Sequence, residues 1–487
     1  EMCIRDRIKY LLLIGLITSI CSCGDKFLDI SPSTSLPDTE IISDIKDLNN
    51  FTNGCYNYLK LTSGAYGYYY DATFMFSGDL MGDDFRAGST SWLSDYYSYT
   101  TTPYEVTTMI YSNLYNLAYA SIKVFESAKS LEESEEKEEY LAEIRVLRAL
   151  MYFDMVRMHA PLPSNWGKGS ITDDPLGIYI AETIKEDISQ PNYRNTAREV
   201  WKYIGTELEE SVPHLSKTRQ KGRLDWYAGR AFQARYYLYM ENWTEALKAA
   251  KDIIDSKVFA LYEIEDYKSV WTNTFTSESI FEVNVSETEP NQWVSLGTLV
   301  GGTRYQRIGT TTDFEELMQE NPTDVRFSLY EWSQTYQYYH ARWKWEGRNG
   351  NELITSPKIF RLSEMYLIAA EAALKSNDSN AGKYLSDLRE KRTTVDPRKY
   401  DNGLTLDDIL YERRLELACE GHRAWDLWRN CREVVRWRTP EEKLAKKHQD
   451  NLGVIPFDHF RRIWPISYTE IQLFPPADRT SQQNPGY

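Results

Sequence analysis

The pattern of apolar and polar positions divides the chain into a short N-terminal apolar run, a Pro/Ser/Thr-rich segment and a long body with helical periodicity. Within the body, apolar residues recur at helical spacing in 107–131, 138–159 and 196–211. Thr196 is followed three residues later by Glu199, the pattern of a capping box, so we expect a helix to begin there. These segments predict long helices, and the middle one is apolar enough to be mostly buried.

Two further segments predict antiparallel pairs of helices, at 228–255 and 360–392. Each has alanines at helical spacing on both helices, and small residues allow two helix axes to approach closely. The spacing around Tyr237, Trp243 and Ala246 resembles half of a tetratricopeptide unit. More than 100 residues of different character separate the two pairs, so a regular solenoid is not expected.

Two regions lack helical periodicity. Residues 62–105 are rich in Gly, Ser, Thr and Tyr, which predicts a long irregular surface segment of the kind that often carries function. Residues 258–358 contain short β-type runs such as SIFEVNV. The predicted fold is therefore mostly α, an irregular tetratricopeptide-like helical-repeat scaffold with long loop-rich insertions and a few short strands.

The N-terminal apolar run predicts export. In IKYLLLIGLITSICSCGDKFLD (8–29) it follows basic residues, is too short to span a bilayer, and ends with small residues before Cys23. We expect a lipoprotein signal peptide at 1–22, acylation of Cys23, an extended tether at 23–43 and a single domain at 44–487. The alternative is an ordinary signal peptide that is cleaved elsewhere.

Composition narrows the classes of function. The chain of 487 residues is 42% hydrophobic, so it can bury a large core, and no later apolar stretch is long enough to span a membrane. The formal net charge of −16 and the lack of a clustered basic face exclude nucleic acid as a partner. The 36 Tyr and 14 Trp combine flat apolar faces with polar edges, which suits recognition of a hydrated ligand.

Cysteine usage argues against stabilisation by disulfides. Once the segment up to Cys23 is set aside, Cys55, Cys419 and Cys431 remain, an odd number for an exported chain. Cys419 could pair with Cys431, but we expect buried free thiols because both have apolar helical neighbours.

The densest charged motif is ERRLELACEGHRAWDLW (412–428). On a helix that begins at Leu406, Arg413, Leu417 and Glu420 share one face, and charges on an apolar face need partners. We interpret six residues as a structural ion network, with Gly421 allowing a bend: Arg413, Arg414, Glu416, Glu420, Arg423 and Asp426. The alternative is a pair of carboxylates for general acid/base catalysis.

Other catalytic signals are poor. The six histidines lie far apart, without an HxH, HExxH or paired CxxC motif, so no metal site is predicted. The chain has no GxGxxG sequence and no Gly-x-Ser-x-Gly elbow, and the sequence predicts no cofactor and no catalytic residue.

The two aromatic regions remain as candidate binding sites. Flat rings stack on the apolar face of a pyranose, while carboxylates and guanidinium groups bond to its hydroxyls. The ligand-binding candidates, chosen from this clustering, are Asp83, Asp84, Arg86, Trp92, Tyr96, Trp293, Trp332, Tyr336 and Trp343. The alternative for each ring is that it only packs its loop onto the helices.

Several of these segments together resemble the SusD/RagB family of outer-membrane nutrient-binding lipoproteins. The resemblance covers nearly the whole chain, in order: SCGDKFLDISP, EIRVLRALMYFDMVR, QARYYLYMENWTEALKAAKDII, FRLSEMYLIAAEAAL with YLSDLREKR, ILYERRLELACEGHRAWDLW, and QQNPGY. It implies a mostly α fold, a lipid anchor as the only membrane contact, exposure at the cell surface, and a complex with a SusC-like TonB-dependent transporter. It further implies capture of oligosaccharide, or in some members peptide, without covalent chemistry.

The chain departs from the family pattern after the long helix, where His159–Pro163 replaces the usual Gly and aliphatic-Pro-Leu run. Ligand residues in the family lie in variable loops, so none is carried over to this sequence. Besides a peptide-binding member, the open alternatives are a surface glycoside hydrolase and a protein-interaction scaffold.

Overall fold

The computed structural model describes residues 42–60, 62–63, 66–67, 69–87, 93–104, 106–183, 190–302, 304–395, 403–437, 440–447 and 453–487. The predicted signal peptide, Cys23, nearly all of the predicted tether and Trp92 lie outside these residues. The predictions for them stay predictions.

The fold is mostly α, as the sequence predicts. The α-helices are α1 (Ile45–Cys55), α2 (Thr73–Leu80), α3 (Ser94–Ser98), α4 (Val106–Ala128), α5 (Glu135–His159), α6 (Ala197–Ser211), α7 (Trp226–Tyr239), α8 (Trp243–Ser256), α9 (Thr312–Glu320), α10 (Leu362–Lys375), α11 (Ala381–Arg389), α12 (Leu406–Glu416), α13 (Arg423–Arg429), α14 (Pro440–Ala445), α15 (Tyr468–Leu473) and α16 (Arg479–Gln482). In the described part of the chain, none of them is long and apolar enough to cross a membrane.

The strands are short and form two-stranded antiparallel pairs. They are β1 (Thr62–Ser63), β2 (Tyr66–Gly67), β3 (Phe85–Ala87), β4 (Ser279–Glu282), β5 (Ile308–Thr310), β6 (Glu331–Ser333), β7 (Tyr338–His340), β8 (Lys358–Arg361), β9 (Val434–Val435) and β10 (Val454–Ile455). β3 pairs with β5, so the two predicted aromatic regions meet through main-chain hydrogen bonds. Within the second region, β6 pairs with β7. β4, from the SIFEVNV run, pairs with β8.

Both predicted helix pairs are present, and they stack on each other. α8 packs against its partner α7. It also packs against α10, although more than 100 residues separate α8 from α10 in the sequence. Ala231 and Ala234 on α7, and Ala246 and Ala249 on α8, are fully buried, as expected if small residues allow close approach of the axes. The scaffold is therefore a stack of tetratricopeptide-like pairs.

Helix ends follow the local chemistry of the sequence. At the start of α6, the Glu199 carboxylate accepts a hydrogen bond from the Thr196 N–H, and the Glu199 N–H donates to the Thr196 hydroxyl, which is the predicted capping box. α5 ends at His159, ahead of Pro161, because proline lacks an N–H and disfavours the helical conformation of the residue before it.

The expectation of an irregular surface at 62–105 is wrong for its central part. Residues 73–80 form α2, and nearly every described side chain from Tyr69 to Phe85 is buried. The reason is that TFMFSGDL is surrounded by protein, so apolar residues occur around the whole helix and no periodicity is visible.

The helix predicted from Leu406 ends earlier than expected. α12 stops at Glu416, so Glu420 does not lie on a helix face with Arg413. Cys419 and Gly421 both have positive φ, +61° and +77°, and the Gly421 N–H donates to Asp79 Oδ2 over 2.7 Å. A Cβ on Gly421 would lie 2.4 Å from the Met75 carbonyl oxygen, which explains why glycine is required at this turn.

The described cysteines are free thiols, as predicted, and the C-terminal segment is packed onto the body. Cys55 and Cys419 are buried free thiols, and Cys431 is a partly buried free thiol. The C-terminal segment packs onto the body: Trp464 is buried, and the Asn484 side-chain amide donates to the carbonyls of His159 and Trp464.

Candidate functional site

A dense concentration of charge in the described part of the chain is a buried ion cluster around Glu416 and Glu420 of the 412–428 motif. We define it by three carboxylates and four cations: Glu278, Glu416, Glu420, Arg326, Lys344, Arg361 and Arg392. Arg361 Nε donates to Glu420 Oε2 over 2.8 Å, and Arg392 Nε donates to Glu416 Oε2 over 2.8 Å. Burial opposes the ionisation of Glu416, but Arg392 and Arg361 outweigh it and hold its pKa well below the ordinary value.

All six residues predicted to form an ion network take part in ion pairs. Glu416 and Glu420 belong to the buried ion cluster, and Arg413 Nε donates to Asp426 Oδ2 over 2.8 Å. Arg414 and Arg423 reach across to the segment before β3, where they pair with Asp84 and Asp83. Because each carboxylate has a cationic partner, a structural role accounts for the motif without catalysis.

Asp83 and Asp84, predicted as ligand-binding residues, are thus buried partners of arginines. Arg423 Nε and Nη2 donate to Asp83 over 2.6 and 2.8 Å. Burial disfavours the charge on Asp83, but Arg423 and Arg414 prevail and lower its pKa to about 2. Tyr96 is also buried, 5.1 Å from the Trp464 ring centre.

Arg86, two residues beyond Asp84, lies instead on a partly exposed aromatic surface. We define the aromatic surface as three rings with three arginines: Trp293, Tyr336, Tyr338, Arg86, Arg304 and Arg307. It is built on the paired strands β3 and β5, on the β6–β7 hairpin and on the segments that precede β5.

The two tyrosines of this surface stack on each other. The rings of Tyr336 and Tyr338 lie 5.7 Å apart with 12° between their planes. The Arg86 guanidinium lies 5.2 Å from the centre of the Tyr338 ring, and Arg307 lies 5.5 Å from that of Tyr336. Arg86 Nη2 also donates to the Gln337 carbonyl oxygen over 3.0 Å, which fixes β3 against the hairpin turn.

Trp293 forms the most exposed part of the surface. It remains 46% exposed, and the Arg304 guanidinium lies 4.2 Å from the centre of its ring. Arg304 Nε donates to Glu352 Oε1 over 3.0 Å, which orients the arginine. The chain from Arg304 to Arg307 therefore joins the indole of Trp293 to the tyrosine stack.

Trp332 and Trp343 border the aromatic surface. Trp332 is half-buried and lies opposite Tyr339 in the hairpin, with ring centres 5.0 Å apart. Trp343 is half-buried under two cations, with Lys268 Nζ 3.7 Å and the Arg342 guanidinium 4.9 Å from its ring centre. Arg342 Nη1 also donates to the Gly301 carbonyl oxygen over 3.3 Å, which connects this ring to the segment before Arg304.

Sequence reasoning missed Tyr338 and the cations Arg304, Arg307 and Arg342. The available signal was that each arginine is adjacent or nearly adjacent in sequence to an aromatic residue, such as Tyr305 or Trp343. Tyr338 is anchored by donating from its hydroxyl to the Gln306 carbonyl oxygen over 2.6 Å.

The chemistry of the surface is that of noncovalent recognition. Trp293 and the partly buried Tyr336 offer apolar ring faces, Tyr338 is buried beneath Tyr336 with 4% exposure, and the guanidinium groups offer hydrogen-bond donors. No group of three or more potential metal-ligating side chains occurs within the described residues. Three cavities of about 630, 510 and 270 Å³ are lined by other described residues, whereas the indole of Trp293 is openly exposed at 46%. An open surface suits a polymer better than an isolated small molecule.

The chain matches the models of two related protein families. The model of the SusD family matches residues 230–487, and a model described as starch-binding associating with outer membrane matches residues 26–238. The two matches together cover nearly the whole chain.

Two curated relatives are SusD-like proteins. One, from Bacteroides ovatus, is 22% identical over 60% of this chain and 59% of its own length. The other, SusD-like protein P38 from Formosa agariphila, is 25% identical over 61% of this chain and 67% of its own length. The aligned part of this chain thus spans less than two thirds of the first relative.

Among solved structures, a Bacteroides vulgatus protein for which sugar binding is proposed superposes with a TM-score of 0.81. It is 27% identical, and the match covers 92% of this chain and 99% of that protein. The architecture described above is therefore shared over almost the full length of both chains.

Proposed function

The chain belongs to the SusD family, and on that premise we propose that it captures oligosaccharide or polysaccharide at the cell surface and delivers it to a SusC-like TonB-dependent outer-membrane transporter. The observation that carries this proposal is the aromatic surface, where an indole left 46% exposed adjoins stacked tyrosines and guanidinium groups. Exposed ring faces stack on the apolar faces of pyranoses, and the arginines donate to hydroxyls.

The experiment is a binding assay with the purified protein on plant, host and microbial polysaccharides, read by tryptophan fluorescence and by retardation in polysaccharide gels. We expect Trp293→Ala and Trp332→Ala to weaken binding by about tenfold or more, because aromatic anchors dominate interface energies. Trp293 is well exposed, so its loss should leave the melting temperature unchanged.

The matched control is Tyr468→Ala. Tyr468 is 40% exposed and stacks on Tyr104, but it lies in the C-terminal segment, away from the aromatic surface. We expect this variant to bind as the parent does. If no polysaccharide binds, or if Trp293→Ala binds as tightly as the parent, the proposal is wrong.

Capture in this proposal proceeds without catalysis. A glycoside hydrolase needs two carboxylates that flank the scissile bond, one of them free to donate a proton. Asp83 and Asp84 are instead engaged by Arg423 and Arg414, which favours binding alone. Prolonged incubation with a bound polysaccharide should release no shorter sugars; release of such products would contradict this part of the proposal.

The proposed anchor is a lipid on Cys23, with residues 23–43 as a tether to the outer membrane. The description of the matching family model, starch-binding associating with outer membrane, supports this location. Metabolic labelling with a fatty-acid analogue should modify the parent protein and not Cys23→Ala. In a separate experiment, the SusC-like transporter should co-purify with the parent protein. Labelling that persists in Cys23→Ala would refute the assigned anchor.

A further inference from the structure

The rings on and beside the aromatic surface share one feature that a neutral sugar does not require: cations lie against them. The three arginines of the surface lie between 4.2 and 5.5 Å from the ring centres of Trp293, Tyr336 and Tyr338. Two more cations, Lys268 and Arg342, lie against Trp343. In a chain with a formal net charge of −16, these five cations are a local concentration of positive charge, and Glu331, Glu346 and Glu352 pair with two of them.

Two of these cations, Arg86 and Lys268, form no ion pair within the described residues, unlike the cations of the buried ion cluster. Arg86 donates from Nη2 to a main-chain carbonyl of Gln337, and its Nε is buried without a hydrogen-bond partner. Lys268 is exposed and forms no ion pair within the described residues. The charge of Arg86 nevertheless acts against the rise in pKa that burial causes at the nearby Glu315 carboxyl. A half-buried guanidinium with a donor left over is a favourable position for an anionic group of a ligand.

The positive charges of Arg304 and Arg342 are partly offset by neighbouring carboxylates. Arg304 pairs with Glu352 through Nε, yet its side chain stays 47% exposed. Arg342 has Glu346 and Glu331 at 3.4 and 3.8 Å. Arg304 therefore keeps donors accessible beside the exposed indole of Trp293, where the substituents of a stacked sugar would lie.

We infer that the glycan taken by the aromatic surface is anionic, carrying carboxylate or sulfate groups on its sugar rings. This inference rests on the proposed function and names its ligand class. A guanidinium binds carboxylate or sulfate through two parallel N–H bonds and also stacks on aromatic faces, so one arginine beside a ring can recognise both the charge and the ring of a uronic acid. The acidic remainder of the protein repels polyanions, which confines their binding to this surface.

The test compares polymers that differ only in charge. Polygalacturonate is paired with its methyl ester, and dextran sulfate with dextran, so that the two pairs separate carboxylate from sulfate recognition. We expect the charged member of at least one pair to bind about tenfold or more tightly than its neutral partner, and we expect this preference to fall as NaCl is raised.

The variants are Arg86→Gln and Arg304→Gln, each of which removes a charge while keeping the rings. We expect each to lose most of the preference for the charged polymer. Lys383→Gln is the control, because Lys383 is 65% exposed and paired with Asp387 on α11. It removes the same charge from the chain but should not change binding.

The outcomes separate the inference from the function on which it rests. Equal binding of charged and neutral polymers that is sensitive to Trp293→Ala would overturn the anionic class and leave glycan capture intact. A charge preference unchanged in both arginine variants would also overturn the inference, since the anion would then bind elsewhere. Absence of binding to every glycan, charged or neutral, would remove the proposed function together with the inference.

Discussion

The buried ion cluster and the aromatic surface are both rich in arginine, but the protein uses the residue in opposite ways. In the cluster, the guanidinium groups of Arg361 and Arg392 are at most 1% exposed, and each contacts at least two glutamates. On the aromatic surface, Arg86 has no ion-pair partner within the described residues, and Arg304 has a single one, Glu352. The difference shows what separates a structural site from a candidate binding site: how fully the arginine charges are paired with carboxylates, rather than how many charges lie close together.

This contrast has a physical basis in solvation. A buried charge loses several kcal/mol of hydration, which only close counter-charges and hydrogen bonds can offset, so a buried ionic site must be complete in itself. A partly exposed cation keeps some of its water and can exchange that water for a ligand. The same substitution of a charged residue should therefore affect stability in one region and binding in the other.

The largest expected effect is Glu416→Gln. Glu416 is fully buried and accepts hydrogen bonds from Arg326, Arg361 and Arg392. Loss of its charge leaves these arginines with too little negative charge, and we expect the free energy of unfolding to fall by about 3–5 kcal/mol. Urea unfolding followed by circular dichroism measures the change.

A matched control is Glu390→Gln, because Glu390 is exposed at the end of α11. It should change the free energy of unfolding by less than about 0.5 kcal/mol. If Glu416→Gln lowers the free energy of unfolding no more than this control does, the cluster does not have the structural role that we assign to it.

The second prediction concerns acid. The folded-state pKa of Asp83 is lowered to about 2 because Arg423 and Arg414 outweigh its burial. A lowered pKa means that the contribution to stability is complete above the unfolded pKa, near 4, and is lost as the pH falls towards 2. We expect Asp83 to account for about 2 kcal/mol of the stability that the protein loses over this range, measured as the difference between the parent and Asp83→Asn in the pH dependence of urea unfolding.

Asp83→Asn tests the assignment, because it removes the titrating group while preserving its shape. Its unfolding free energy should be lower than that of the parent at pH 6 and should change less between pH 4 and pH 2. A slope identical to that of the parent would mean that other carboxylates account for the acid sensitivity.

The sequence predicted those helices whose signals lie close together along the chain. The helix pairs followed from alanine spacing, and the start of α6 from Thr196 and Glu199, since these signals lie within one or two helical turns. α2 could not be found in this way, because a helix that is buried on all sides has no polar face. The end of α12 depends on Gly421 packing against Met75, a contact across more than 300 residues.

For the candidate site, too, the sequence predicted what depends on local information and missed what depends on long-range contacts. The sequence correctly expected Glu416 and Glu420 to be paired, because buried charges need partners, but it could not separate Asp84 from Arg86. Asp84 and Arg86 are separated by only one position in the sequence. Asp84 contacts Arg414 from α12, whereas Arg86 contacts Tyr338 from the β6–β7 hairpin. Only the long-range topology determines which neighbour reaches each side chain.

The smallest expected effect on stability comes from Arg304→Gln on the aromatic surface. Arg304 is 47% exposed and pairs with a single carboxylate, Glu352, so solvent already screens most of its charge. We expect its free energy of unfolding to stay within about 0.5 kcal/mol of the parent value, measured by the same urea titration as Glu416→Gln. A loss of several kcal/mol would show that Arg304 is as structural as the arginines of the buried ion cluster, and the contrast between the two regions would fail. Parental stability combined with weakened binding of a charged polysaccharide would instead assign this arginine to recognition, since removing a cation that the fold does not need can reduce affinity only through its contact with the ligand.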